Sequence, residues 1–261
     1  MWPRASDGRV FATLLIALIG MTWVALLVWG LSPYGRFLSH EEVGEVEGFG
    51  GGFVAIVALF VAAWMLMTIA MMLPTSLPLV ALFRSFVRKR PNRLRLVLLL
   101  IAGYLGVWAL FGAAAHVGDR GLHETVERIG WLEGNAWVIA AGTILLAGAY
   151  QFSPLKHLCL ERCRSPFSFI QQHWRGGRAS AQAFRLGVHH GLFCLGCCWS
   201  LMLLMFAVGV GNLAWMLALG SVMTVEKNLP WGRRVTAPVG VVLLCWGVLL
   251  VATQGSIAGG A

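Results

Sequence analysis

Residues 186–225 read LGVHHGLFCLGCCWSLMLLMFAVGVGNLAWMLALGSVMTV, 40 positions without one Asp, Glu, Lys or Arg. Wound as a single helix at 1.5 Å per residue, this stretch would be about 60 Å long, twice the roughly 30 Å of bilayer hydrocarbon. It must fold back on itself, and Gly209-Val210-Gly211-Asn212 is the natural turn. The expected result is a pair of membrane helices, 187–208 and 213–227.

Working outward, the same reading gives further spans at 10–31, 53–83, 94–115, 137–153 and 235–252, with 154–185 as a cytoplasmic connecting segment. The fold class is all-α, a polytopic membrane helical bundle of about seven transmembrane helices forming one integral membrane domain over 1–261. Segment 10–31 exceeds the 7–15 apolar residues of a secretory signal and ends near the interfacial Trp29, so it is read as a retained helix. Segment 53–83 is too long for a simple crossing and carries Pro74 and Pro78, so a kink is expected near its end.

Composition supports the class. Of 261 residues, 58% are hydrophobic and 12% charged, with mean hydropathy +0.76; soluble domains carry about 25% charged residues. The alternating segments of a membrane β-barrel are absent, and six cysteines are too sparse for a disulfide scaffold. The net charge of +9 sits in loops beside apolar spans, which reads as a topology signal rather than as nucleic-acid binding. With the N terminus inside, only Arg36, Arg120 and Arg128 of the 20 Lys and Arg fall outside. Glu41, Glu42, Glu45, Glu47, Asp119, Glu124, Glu127 and Glu133 fall outside with them. The expected topology is therefore N-in/C-out.

Five of the six cysteines lie in one section: Cys159 and Cys163, then Cys194, Cys197 and Cys198. Cys159 and Cys163 are spaced i, i+4, as are His190, Cys194 and Cys198, so each set shares a helix face. Both groups fall near the cytoplasmic boundary. Thiolates suit soft or borderline ions such as copper(I) and zinc(II), and cytosolic thiols stay reduced and free to bind. Packing of small apolar residues is the alternative, and it is the reading for the lone Cys245. Glu226, next to Lys227 at the same boundary, is a candidate ligand or structural partner. The methionines Met65, Met67, Met71, Met72, Met202, Met205, Met216 and Met223 read either as core filler or as a thioether route for a soft ion.

The break at Met71-Met72-Leu73-Pro74 reads as a hinge or a ligand site, because proline frees carbonyls that must be satisfied. Outside, His40 with Glu41, Glu42 and Glu45, and His123 with Glu124 and Glu127, read as solvated loop charges with some capacity for divalent cations. No Schiff-base lysine stands in 235–252, no C-x-x-C-H haem motif is present, and no phosphate loop or nucleophile elbow occurs. Hydrolase chemistry has no support, and a non-enzymatic role is favoured.

The run His190-Gly191-Leu192-Phe193-Cys194-Leu195-Gly196-Cys197-Cys198-Trp199-Ser200-Leu201-Met202 is the most specific element. With Tyr150-Gln151, Pro154-Leu155-Lys156, Cys159, Cys163-Arg164, Asn212-Leu213, Trp215-Met216, Glu226-Lys227 and Met71-Met72-Leu73-Pro74, it resembles an uncharacterised bacterial family of predicted metal-binding integral membrane proteins, over roughly residues 60 to 250. Where that family often has Met before the turn Asn, this chain has Gly211, which weakens a ligand role there. The resemblance implies a multi-pass protein of the bacterial inner membrane and supports Cys159, Cys163, His190, Cys194, Cys197, Cys198 and Glu226 as metal-site residues. The expected function is to hold or pass a soft metal ion, copper or zinc. The alternatives are a membrane thiol-disulfide oxidoreductase and a non-catalytic assembly subunit. The expected partners are the lipid bilayer, the metal ion, and a membrane protein or second copy.

Overall fold

Inside hydrocarbon an apolar chain has no water to satisfy its backbone, so each run closes its own N–H and C=O groups by winding into a helix. The computed structural model describes residues 5–31, 53–175, 177–208 and 212–258, and its described elements are all helices. They are α1 (Ala5–Leu31), α2 (Phe53–Met71), α3 (Leu73–Phe86), α4 (Arg93–Arg128), α5 (Gly130–Glu133) and α6 (Trp137–Tyr150), followed by α7 (Pro154–Arg164), α8 (Pro166–His173), α9 (Ala179–Val208), α10 (Leu213–Asn228) and α11 (Arg233–Ala258).

Among the described residues, α4, α9 and α11 are each long and apolar enough to cross a bilayer. The count rises to five if two bent pairs are each one span: α2 with α3, bent by 67°, and α6 with α7, bent by 63°. The 16 residues of α10 fall short of the roughly 20 that a crossing needs, whereas α1 extends over 27. Large apolar side chains cover the outer faces, including Leu14, Ile16, Met21 and Val24 on α1 and Val241, Val242, Val248 and Leu249 on α11. Contiguous exposed apolar surface of this kind suits contact with lipid.

The expected kink in 53–83 falls at Met72, with Pro74 in the first turn of α3, where its missing N–H costs nothing. The other expected segments differ mainly in length. Segment 94–115 continues to Arg128 as α4, and His123 donates from Nδ1 to the Asp119 carbonyl at 3.0 Å. The connecting segment 154–185 holds α7, α8 and the start of α9. Ser153 accepts from the Leu155 N–H at 3.2 Å and Pro154 opens the helix, two start signals that turn the chain sharply out of α6. Asn212 caps α10 by accepting from the Trp215 N–H at 3.3 Å. The rest of the predicted turn, Gly209-Val210-Gly211, lies outside the described residues, as does the cluster of His40, Glu41, Glu42 and Glu45. Cys245 corrects an expectation: it is exposed on α11 instead of packing between helices.

The central pair is α4 and α9. A Cβ on Gly187 would collide with the Leu100 carbonyl, and one on Gly103 with the Phe184 carbonyl, so these glycines let the two backbones approach directly. With α9 pressed to α4 on one side and to α7 on another, its middle turns are buried. The core formed there contains Cys159, Cys194, Cys197, Cys198, Met67, Met71, Met72, Met202, Met205, Met216 and Met223.

Candidate metal centre

Helical spacing places His190, Cys194 and Cys198 one above another on α9, and all three are buried. The Cys194 carbonyl accepts from the thiols of both Cys197, at 3.1 Å, and Cys198, at 2.8 Å. These bonds hold the two side chains back along the helix.

Helix α7 reaches α9 at Gly196, where a Cβ would lie 2.6 Å from Cys159 Sγ. Tyr150 donates to the Gly196 carbonyl at 2.5 Å and fixes the end of α6 at the same level. One turn beyond Cys159, Cys163 Sγ comes to 4.0 Å from Cys197 Sγ. The two cysteine groups of the sequence do meet.

The break between α2 and α3 supplies the next wall. Met72 Sδ lies 3.7 Å from Cys198 Sγ. Its carbonyl, left outside the regular helix, accepts from Tyr104 Oη at 3.2 Å and from Thr75 Oγ1 at 2.8 Å. Tyr104 Oη also lies 3.2 Å from Cys194 Sγ. A carbonyl only accepts, so the single phenolic proton goes to Met72 and the Cys194 thiol donates to the phenol. The break is thus a hinge whose carbonyl is satisfied and whose thioether faces the thiols.

The last wall is α10, which contributes Lys227. Its ammonium lies 2.9 Å from Cys194 Sγ, 3.7 Å from Cys198 Sγ, 3.9 Å from Met72 Sδ and 3.3 Å from Thr75 Oγ1. A cation thus stands among three sulfurs in the protein interior.

The sequence candidates divide accordingly. Cys163, Cys194, Cys197 and Cys198 come together, and Cys159 packs beside them. His190 borders the cluster, but its Nε2 is 3.2 Å from Ser76 Oγ and its ring lies against Tyr104 and Phe169. Glu226 is held elsewhere: its carboxylate accepts from Lys156 Nζ at 2.8 Å, with both side chains out of solvent, and its carbonyl accepts from Arg164. Lys227 is the residue that sequence reasoning did not assign to the cluster, and Met72 was weighed only as filler, thioether route or part of a hinge. Met72 stood in a quoted motif, but nothing in the spacing pairs it with Cys198, 126 positions away. Among the described residues, no three His, Cys, Asp or Glu side chains form a ready metal shell.

The donor set nevertheless fits a soft ion. With metal–sulfur bonds of about 2.3 Å, the length seen for zinc thiolates, sulfurs stand about 4.0 Å apart in a trigonal shell and about 3.8 Å apart in a tetrahedral one. The pairs Cys163–Cys197 at 4.0 Å and Met72–Cys198 at 3.7 Å are close to these separations. A thioether among thiols also favours copper(I), since hard ions gain little from sulfur.

Comparison with known proteins agrees with this chemistry. The sequence model of a family described as PpoB2, copper chaperone, matches residues 61–250, well over half of the chain. No curated protein and no solved structure matches.

Proposed function

We propose, for a chain that belongs to the PpoB2 copper chaperone family, that it is a multi-pass membrane protein, N-in/C-out, which binds copper(I) and passes it on. Copper is its cargo. The ligands in this reading are the thiolates of Cys194, Cys197, Cys198 and Cys163 with the thioether of Met72, near the cytoplasmic boundary, while Cys159 closes the wall behind them. The observation that carries the reading is the Lys227 ammonium among the sulfurs of Cys194, Cys198 and Met72. A buried ammonium is tolerated only where its surroundings compensate it, so this spot suits a monovalent cation lined by soft donors. Copper(I) is the ion that answers to both properties. Lys227 would leave the sulfurs as the ion enters, with Thr75 Oγ1 within its reach.

The test is metal content. Full-length protein purified under reducing conditions and offered copper(I) and zinc(II) together is expected to hold near-stoichiometric copper. Cys197→Ser with Cys198→Ser is expected to abolish that binding, and Met72→Leu to weaken it while leaving the fold intact. Unchanged copper in the double variant removes these thiols as ligands, and retention of zinc in preference to copper assigns the site to the harder ion.

A second reading, thiol-disulfide exchange, rests on the proximity of Cys163 and Cys197 Sγ. No disulfide joins any of the six cysteines in the structure. Freshly extracted, metal-free protein that already carries a Cys163–Cys197 bridge, turned over by a quinone or a thioredoxin-like partner, would favour it.

A further inference from the structure

A cavity of about 280 Å³ opens between the end of α8 and the first turns of α9, lined chiefly by Gln172, His173, Arg175, Gln182, Arg185 and His189. It is separate from the sulfur cluster. Its lining residues include two arginines, two histidines and two glutamines beside the apolar Leu186, with no Asp or Glu among them. Neither Arg175 nor Arg185 has an ion-pair partner among the described residues.

The remaining polar contacts hold this lining in place. The Arg175 backbone N–H donates to Gln182 Oε1 at 3.0 Å, tying the approach to α9 onto the helix. His173 donates from Nδ1 to the Phe169 carbonyl at 2.9 Å, which sets its tautomer and leaves Nε2 uncommitted by that bond. The rings of His173 and His189 pack edge to face at 4.9 Å.

Two guanidiniums in one small cavity repel a metal cation, so the imidazole pair is not a second copper site. The same two groups suit an oxyanion, because the planar guanidinium fork matches the geometry of phosphate and carboxylate oxygens in paired hydrogen bonds. We propose that this cavity binds a phosphate group, offered either by an anionic lipid headgroup or by a soluble phosphate, with Arg175 and Arg185 as its principal contacts and the His173–His189 pair as the wall behind. This site is independent of the copper reading.

The experiment uses the full chain in a lipid-free maltoside micelle. In one arm inorganic phosphate is titrated against chloride of equal ionic strength; in the other, phosphatidylglycerol is added without phosphate. Thermal unfolding and native mass spectrometry report binding. Wild-type protein is expected to show saturable stabilisation in at least one arm. In Arg175→Gln with Arg185→Gln the affinity is expected to fall by about ten- to a hundredfold, as loss of charge-assisted hydrogen bonds implies. A response to phosphate identifies a soluble source and a response to phosphatidylglycerol alone identifies a lipid; both support the phosphate site. Binding in neither arm, or binding unchanged in the double variant, overturns it. Should the double variant unfold, Arg175→Gln alone, at an exposed position, carries the same test.

Discussion

Replacing Lys156 by Met should expose how the buried ion pair and the proposed copper site divide their work. Lys156 Nζ and Glu226 Oε2 are 2.8 Å apart, with side-chain exposures of 0% and 2%. At that distance and an effective dielectric of about 20, their attraction is about 6 kcal/mol, most of it offset by the cost of removing both charges from water. Lys156→Met removes the compensation and leaves the desolvated carboxylate. Glu226 Oε1 already lacks a hydrogen-bond partner, so the carboxylate cannot fall back on its second oxygen. The expected loss is about 3–5 kcal/mol. Adding Glu226→Leu removes the stranded charge as well, and the double variant should recover to near wild type, because a buried pair replaced by apolar groups is often neutral or stabilising. Equilibrium unfolding in mixed micelles measures the first quantity, and copper content of the folded double variant measures the second. A single variant as stable as wild type would refute the energetics. A folded double variant that has lost its copper would show that copper binding depends on this pair, either through Glu226 as a ligand or through the rotation of α10 that the pair sets.

Three further outcomes follow from the geometry. Gentle oxidation of metal-free protein should join Cys163 to Cys197, whose sulfurs are 4.0 Å apart, and bound copper(I) should block the reaction; peptide mass spectrometry after alkylation reads the bridge, and a bridge between other cysteines contradicts the arrangement. Gly187→Ala should force α9 away from the Leu100 carbonyl and cost about 1–3 kcal/mol, the usual penalty of overpacking; an unchanged unfolding midpoint would mean that the helices part freely. Reporter fusions after residues 95 and 176 should read cytoplasmic and one after residue 130 external; the reverse pattern would put the thiols on the oxidising side and favour disulfide chemistry.

Much of the scaffold was readable because it depends on local rules. Length and hydropathy identify the runs that become α4, α9 and α11. Pro74 marks the break at Met72, and Ser153-Pro154 marks the corner before α7. What escaped was helix within polar sequence. The segment 154–185 carries Lys156, Arg162, Arg164, Arg175 and Arg178 and reads as a connecting segment, helical only around Cys159 and Cys163. Its helices are held instead by a few inward residues, Lys156, Cys159 and Leu160 on α7 and Phe169 and Ile170 on α8. The 36-residue α4 escaped in the same way, because the charges after Ala115 end an apolar run without ending a helix.

The site shows where such rules stop. Spacing along one helix fixes which residues share a face, so Cys194 and Cys198 could be grouped from sequence alone. It does not fix which neighbouring helix that face meets. Glu226 and Lys227 are consecutive, and consecutive side chains leave a helix about 100° apart; one of them must turn from the sulfurs if the other turns to them. Sequence favours the carboxylate as the one turned inward, since carboxylates bind metals and ammonium groups do not. In the structure α7 lies beside α10 with Lys156 to receive Glu226, and the rotation that makes this ion pair carries Lys227 to the thiols. The sulfur cluster and the ion pair are therefore set by one helix rotation, so perturbing Lys156 tests both.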